Sequence, residues 1–125
     1  MSTPFDPIIL TRRCDIDVSS SEYLLVNASG DDTIALGTAG VRVMGALTND
    51  VADGSSTAVY VPVQVGGIIK VSCGAACVAG SLAMSDASGE ALTATTGNFA
   101  FGIALGEYVT GEIGSFLWAP SYYKT

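Results

Sequence analysis

The chain of 125 residues contains no histidine, three cysteines and few charged side chains, which make up 14% of the sequence. Without histidine, the usual base for a serine or cysteine nucleophile is missing, and so is a common partner of cysteine in zinc sites. A serine–lysine pair would be the remaining route to a nucleophile, and no recognisable motif supplies one. We therefore expect that the protein is not an enzyme and that it holds neither a metal ion nor a cofactor.

Positive charge is scarce. The sequence has five basic residues (lysine and arginine together) and twelve acidic residues, which gives a net charge of −7. Phosphate recognition requires clustered basic side chains, so this balance argues against a nucleic-acid partner. Apolar residues reach 49%, yet no run approaches the roughly 20 residues that span a bilayer, and we expect no membrane partner. Residues 1–7 lack the features of a secretory signal, which favours synthesis in the cytoplasm.

Alternating β-branched residues occupy the middle of the chain. Threonine and valine fill every odd position from 57 to 65, a period of two that fits one buried face of a strand and cannot form a helical stripe. Gly66 and Gly67 then suit a two-residue hairpin turn, and Pro62 predicts a sheet edge or a bulge. Similar patterns predict strands at 22–27, 41–48, 68–72, 81–85, 90–94, 99–105 and 111–118. Segments 35–40 and 73–81 are candidates for helices of one or two turns.

These elements predict a mainly β fold, a compact antiparallel β-sandwich or barrel-like module with one or two very short helices. Residues 21–125 are predicted to be a single domain, and residues 1–20 an extended N-terminal arm. Pro4 and Pro7 disfavour helix in the arm, which we expect to bind a partner and to be dispensable for folding. The predicted binding residues of the arm are Phe5, Ile8, Ile9, Leu10, Arg12 and Arg13. The alternative is an ordinary first strand packed on its own core.

The remaining polar and sulfur-containing groups have ordinary structural explanations. Cys73 and Cys77 have a spacing that would place both thiols on one side of a helix, but zinc normally takes four ligands. A disulfide between them is disfavoured in a reducing cytosol, and we interpret both as small buried residues. Acidic pairs such as Asp31 and Asp32 match no calcium loop and fit turns.

Aromatic residues are concentrated in the last quarter of the chain. Some of them must pack in the core, but interfaces are also enriched in these residue types. The low charge of the surface independently favours burial in an oligomer. We hold the core and interface interpretations equally for this set. The candidate oligomer-interface residues are Phe99, Phe101, Phe116, Trp118, Tyr122 and Tyr123.

Five segments combine glycines with apolar residues in a fixed order between residues 40 and 120. They are GVRVMGALTN at 40–49, VGGIIKV at 65–71, AGSLAMSDASG at 79–89, FGIALGE at 101–107 and EIGSFLW at 112–118. In this order the chain resembles the capsid cement, or head decoration, proteins of tailed bacteriophages.

The resemblance implies a small β module on the outer surface of a virion head. Proteins of this family usually form trimers and brace neighbouring subunits of the major capsid protein against the pressure of the packaged DNA. It therefore implies a homotrimer, a major capsid protein as partner, synthesis in the host cytoplasm, and an N-terminal arm that binds the shell. The alternative is a virion-borne carbohydrate- or receptor-binding β module in which Trp118, Tyr122 and Tyr123 stack on sugar rings.

Overall fold

The computed structural model describes residues 8–14, 21–29, 33–48 and 59–123. Within these ranges the chain forms ten strands and no helix. The strands are β1 (Ile8–Cys14), β2 (Leu25–Ser29), β3 (Thr33–Leu36), β4 (Gly45–Leu47), β5 (Val59–Gly66), β6 (Ile68–Ser72), β7 (Leu82–Ser85), β8 (Ala91–Thr93), β9 (Phe99–Ala104) and β10 (Ile113–Tyr123). The predicted mainly β, barrel-like fold is confirmed.

The first five strands close into a barrel in the order β1-β3-β2-β4-β5. Neighbours run antiparallel, except that β1 and β3 are parallel where Cys14 lies opposite Ile34. β1 pairs with β5 along its whole length. The barrel therefore contains one parallel pair that the prediction of an antiparallel fold did not include.

Two of the alternating valines of β5, Val61 and Val63, face the interior of the barrel. Both are fully buried, whereas the preceding residue, Tyr60, is exposed. Burying one such aliphatic side chain contributes about 1.5–3 kcal/mol. The buried residues of the barrel core are Cys14, Val26, Ile34, Leu47, Val61 and Val63. The predicted buried face of this strand is confirmed.

Pro62 does not place β5 at a sheet edge, because β1 and β4 pair with it on opposite sides. The expectation of an edge was wrong for a simple reason. β4 is short, and its ladder ends where Leu47 pairs with Val63, next to Pro62. Pro62 has no N–H to donate, and it lies outside the β4 ladder, so the ladder loses no hydrogen bond.

The other five strands form an antiparallel sheet in the order β6-β10-β9-β7-β8. Its outermost strands approach each other, because Cys73, just after β6, forms an isolated bridge with Ala91 at the start of β8. Phe101 and Phe116 pack edge to face inside this curled sheet, with ring centroids 5.2 Å apart. The buried residues of this core are Leu25, Val43, Ala46, Ile69, Val71, Cys73, Cys77, Ala83, Ala91, Phe101, Ala104 and Phe116.

Gly67 carries the chain from the barrel into the second sheet. β5 ends at Gly66 and β6 begins at Ile68, but the two strands belong to different sheets. The hairpin predicted at this dipeptide is therefore wrong. Gly67 does adopt the positive φ, 78°, that glycine tolerates. The local motif specifies a sharp turn, but the pairing on either side depends on distant strands.

The turn between β7 and β8, which joins the predicted strands at 81–85 and 90–94, is a true hairpin. The Asp86 carboxylate accepts hydrogen bonds from the backbone N–H groups of Ser88 and Glu90, at 2.7 and 2.9 Å. Gly89 has a φ of 80°. This is the turn chemistry that aspartate and glycine supply.

The two short helices predicted at 35–40 and 73–81 are wrong. Residues 35 and 36 belong to β3, a strand that the sequence analysis missed, and Cys73 and Cys77 form isolated β-bridges. Glycines at 37, 40, 74 and 80 raise the cost of a helix. Tertiary partners also satisfy the backbone, as where Gly37 donates to the Leu25 carbonyl at 2.8 Å.

β9 departs from the simple alternation of a regular strand. Phe101 and Ala104 both enter the core of the second sheet, although their odd and even positions would place them on opposite faces of a regular strand. The register between β9 and β10 shifts after Gly102 pairs with Trp118, and the next pair joins Ala100 to Tyr122. Such an irregularity changes which face the side chains occupy.

Candidate interaction surface

A cavity of about 320 Å³ lies where the barrel meets the second sheet. Its walls come from the barrel strands β1, β4 and β5, from β6 of the second sheet, from Tyr23 ahead of β2 and from Thr48 just after β4. We call it the junction cavity. The residues that line it are Ile9, Tyr23, Leu47, Thr48, Gln64, Ile68 and Lys70.

Gln64 fixes the wall of the junction cavity at the crossing between the sheets. Its side-chain N–H₂ donates to the Gly66 carbonyl at 3.0 Å and to the Ile68 carbonyl at 2.9 Å. One amide therefore holds the last residue of β5 and the first residue of β6. The bonds orient the Gln64 side chain towards the crossing.

Tyr23 joins the two halves through its backbone. Its N–H donates to the Leu47 carbonyl of the barrel at 3.1 Å, and its carbonyl accepts from the Ser72 N–H of the second sheet at 2.8 Å. Its φ is 61°, and it is the one non-glycine residue with positive φ in the described ranges. A tyrosine adopts this conformation rarely, so its surroundings impose it.

Exposed apolar side chains of β1 adjoin the junction cavity. Ile8, Ile9 and Leu10 expose 59%, 44% and 37% of their surface. Ile9 pairs with Gln64 on the outer face of the barrel, and it lines the cavity. Lys70, on the other wall, supplies a positive charge beside this apolar surface.

Part of the predicted arm is one of the five strands of the barrel. Residues 8–14 form β1, whereas Phe5 and the segments 1–7 and 15–20 lie outside the described residues. Arg12 and Arg13 are partly buried, and Arg13 lies opposite Tyr60. Because the backbone of β1 is paired with β5, a partner would contact its side chains. Their role in binding stays a prediction.

An apolar row crosses the outer face of the second sheet. Leu117 pairs with Ile68 on one side and with Ile103 on the other, and Ile103 in turn pairs with Leu82. Directly paired residues lie on the same side of a sheet, so these four side chains form a line across β6, β10, β9 and β7. Leu117 is 40% exposed, and Ile68 also lines the junction cavity. We call this line the outer row.

The predicted interface aromatics separate into different environments. Phe101 and Phe116 lie in the core of a single chain, at 2% and 0% exposure, and therefore cannot offer their rings to a partner. Trp118 is partly buried against the same core, its ring 6.2 Å from that of Phe101. The Arg42 guanidinium lies over the Phe99 ring at 4.6 Å. Tyr122 and Tyr123 end β10, and their side chains lie outside the described parts.

The cysteines are buried, as the sequence predicts. Cys14 lies in the barrel core, and Cys73 and Cys77 lie in the core of the second sheet with their sulfurs 3.8 Å apart. Burial raises the pKa of the Cys77 thiol to about 12 and also raises the pKa of Cys73. Both thiols are therefore protonated at neutral pH and are poor nucleophiles.

The described residues contain no group of three or more cysteine or carboxylate side chains placed to hold a metal ion. They also contain no helix that could cross a membrane. The arrangement that does stand out is a cavity with a mixed polar and apolar lining beside an apolar row, with Ile68 common to both.

No protein-family model and no curated protein sequence matches the chain. Among solved structures, it is similar to the N base of head fiber gp8.5 of bacteriophage phi29, with a TM-score of 0.71. The match covers 96% of this chain and 100% of the other, at 18% sequence identity. The two chains share a fold.

Most of the cavity could not be predicted from the sequence. Gln64 and Lys70 occupy the polar positions of predicted strands, where a solvated side chain is the ordinary expectation. Nothing in the sequence around Tyr23 indicates a positive φ. Only Ile9 could be predicted as a surface contact, because it belongs to the apolar run at residues 8–10.

Proposed function

We propose that this protein is a structural component of a bacteriophage head, a decoration or cement protein that binds the outer surface of the shell and stabilises it. The observation that carries the proposal is the fold shared with a head fiber base over 96% of the chain. A fold alone does not fix a function. The order of glycine-containing motifs between residues 40 and 120, which resembles head decoration proteins, points the same way.

The major capsid protein is the proposed partner, and the junction cavity with the exposed end of β1 is the proposed contact. Ile8 and Ile9 offer apolar area, and the cavity can accept a protruding apolar side chain of the shell. Lys70 in the cavity wall and Arg13 further along β1 are two of the few cations on a chain of net charge −7. Their placement favours a shell surface that carries acidic groups around an apolar contact.

Self-association into a homotrimer is the second part of the proposal. The outer row presents apolar side chains from four neighbouring strands, and interface centres are depleted of charge. Trp118, just before the register shift in the ladder between β10 and β9, lies one residue from Leu117 of this row. Contact between copies through this face would leave the β1 side of each copy for the shell.

Binding to heads that lack the protein tests the function. We expect the purified chain to sediment with such heads and to raise the temperature at which they release DNA. Ile9→Ser should weaken binding by about 10-fold or more, since a buried anchor typically contributes over 1 kcal/mol. Val109→Ser is the matched control, because Val109 is exposed, apolar and outside the cavity.

Three outcomes would contradict all or part of the proposal. Absence of binding to heads at any concentration would remove the capsid role altogether. Equal loss of binding in the Ile9 and Val109 variants would keep the role and reject the junction cavity as the contact. Binding that survives Lys70→Gln with unchanged salt dependence would reject the charge part of the argument.

A further inference from the structure

The turn after β6 brings two cysteines together. Cys77 lies four residues after Cys73, and its thiol donates towards the Cys73 sulfur at a distance of 3.8 Å. Both side chains are buried, at 0% and 2% exposure, and both are free thiols. Residues 74–76 between them are one glycine and two alanines, so no large side chain separates the sulfurs.

The backbone on either side of each cysteine is held by other parts of the sheet. Cys73 donates to the Glu112 carbonyl and accepts from Gly111, both at 2.8 Å. Cys77 and Tyr108 exchange two backbone hydrogen bonds of 3.0 Å. These four bonds tie the turn to the segment that leads into β10. The two sulfurs therefore stay close as long as the second sheet is folded.

A disulfide needs only a small movement from this arrangement. Its S–S bond is about 2.05 Å long, so the sulfurs must approach each other by about 1.8 Å in total. Rotation about the side-chain bonds can supply most of that distance. In a reducing cytosol the pair stays as two thiols, whereas an oxidising medium favours the bond.

We propose that Cys73 and Cys77 are a redox-sensitive pair, which a peroxide converts into an intramolecular disulfide that locks the turn joining the edges of the second sheet. The Cys73 sulfur attacks hydrogen peroxide, forms a sulfenic acid and releases one molecule of water. The Cys77 sulfur then attacks the sulfenic sulfur, which forms the S–S bond and expels the second water. Both sulfurs are oxidised by one electron each, and the two peroxide oxygens are reduced.

The geometry also decides which sulfur reacts first. Cys77 donates its S–H to Cys73, which favours the ionised form of Cys73, whereas burial raises the pKa of both thiols. Cys73 is therefore the first nucleophile, and the reaction is slow. Hydrogen peroxide is close to water in size, so it can reach a buried sulfur during small openings that exclude a bulky disulfide oxidant.

The disulfide would lie next to the contact between the two edges of the second sheet. Cys73 bridges Ala91 of β8, and the next residue, Gly74, donates to the Ala91 carbonyl at 2.9 Å. Cross-linking this turn restricts the unfolded chain and keeps the edge contact in place. The oxidised protein should therefore unfold at a higher temperature than the reduced protein. This inference does not depend on binding to a phage head.

Mass spectrometry of the intact protein tests the bond. The reduced chain is treated with hydrogen peroxide, quenched, unfolded and alkylated. We expect the loss of two hydrogen atoms and one alkylated cysteine, Cys14, with the cross-link mapped to Cys73 and Cys77. Three alkylated cysteines, a sulfinic acid at either residue of the pair, or a bond to Cys14 would each overturn the proposal.

A thermal melt tests the lock. The oxidised wild-type protein should melt a few degrees above the reduced one, and a reductant should reverse the shift. Cys77→Ala treated in the same way is the control and should show no such shift. An equal shift in the control, or none in the wild-type protein after the bond has been mapped, would show that the disulfide does not hold the sheet.

Discussion

Tyr23 shows at the scale of one residue how the two sheets are held together. Its backbone bonds to Leu47 and Ser72 compensate a conformation that costs a non-glycine residue about 1–3 kcal/mol. Gln64 has a similar bridging position, with its side chain bonded on both sides of Gly67. The junction therefore depends on individual polar contacts more than on a shared ladder.

The positive φ of Tyr23 predicts that glycine at this position gives a more stable protein than alanine, the reverse of the usual order. Both substitutions remove the ring, but only alanine keeps the Cβ atom that this conformation disfavours. We expect Tyr23→Gly to be more stable than Tyr23→Ala by about 1 kcal/mol in urea unfolding. At exposed Glu22 the order should be the usual one, with alanine at least as stable as glycine. The same order at both sites would contradict the strained conformation.

Burial of Cys77 predicts a loss of stability in alkaline solution. The pKa of its thiol, about 12 in the folded protein, lies above the ordinary value of 9.0. The folded state thus keeps a proton that the unfolded state releases. This contribution is complete below about pH 9, and it falls by up to about 1.4 kcal/mol per pH unit as the pH rises towards 12.

The measurement compares the free energy of unfolding at about pH 8 and about pH 10.5 in the wild-type protein and in Cys77→Ala, under reducing conditions. The variant should be less stable at the lower pH because of lost packing. It should also lose less stability on going to the higher pH. Parallel losses in the two proteins would mean that the Cys77 thiol is not the group responsible.

At the scale of elements, the sequence predicted strands well where alternation and turn residues agree. β6 was predicted with its observed bounds, and the hairpin at Asp86 followed from turn chemistry. The pattern could not show that β5 and β6 separate into different sheets, because Gly67 fits a hairpin and a crossing equally well. The same limit hid most of the junction cavity, whose walls come from distant parts of the chain. Register shifts, such as the one beside Gly102, also follow from tertiary contacts.

Gly102 is the residue that allows the close approach of β9 and β10. A Cβ atom at this position would lie 2.2 Å from the Leu117 carbonyl oxygen, so the backbone would have to move. We expect Gly102→Ala to destabilise the protein by about 2–4 kcal/mol in denaturant unfolding. Gly111→Ala is the control, because nothing lies within 4 Å of its Cβ position and only its φ of 90° opposes the change. A cost for Gly102→Ala no larger than that of the control would reject the close contact.

The position of β1 changes what its removal should do. The arm interpretation expects a folded domain after deletion of residues 1–13. The observed pairing of β1 with β5 and β3 leads us to expect that this deletion opens the barrel and exposes Val61 and Val63. Circular dichroism and thermal unfolding measure the outcome. If the protein without residues 1–13 melts cooperatively near the wild-type temperature, this segment is dispensable for folding, as the arm interpretation predicts.

At the scale of the whole molecule, the barrel and the curled sheet have separate cores that meet at a narrow junction. Leu25 belongs to β2 of the barrel but packs in the core of the second sheet, which couples the halves. Two exposed apolar sites, the end of β1 and Leu117 of the outer row, lie at or next to this junction. The arrangement suits a module whose exposed apolar side chains are covered by neighbouring protein subunits.

The outer row predicts the oligomeric state of the protein. If copies meet through this face, Leu117→Asp should shift a trimer to monomers, because a charge would be buried at the contact without a partner. Ile8→Asp, at an exposed apolar site on β1, should leave the trimer intact. Light scattering over a range of concentrations distinguishes the cases. A wild-type protein that is monomeric in solution and on heads would reject the trimer.

The closure of the barrel also affects the tendency of the protein to aggregate through strand edges at high concentration. Unpaired strand edges template the growth of open-ended fibres, and few charged side chains, 14% of the sequence, are available to block such edges. Here five strands close on themselves, and the bridge from Cys73 to Ala91 draws the outermost strands of the second sheet together. Fibre growth needs two exposed and complementary edges on every copy, and this topology leaves few. The hydrogen-bond connectivity of the described strands therefore adds a protection against fibre growth that does not depend on surface charge.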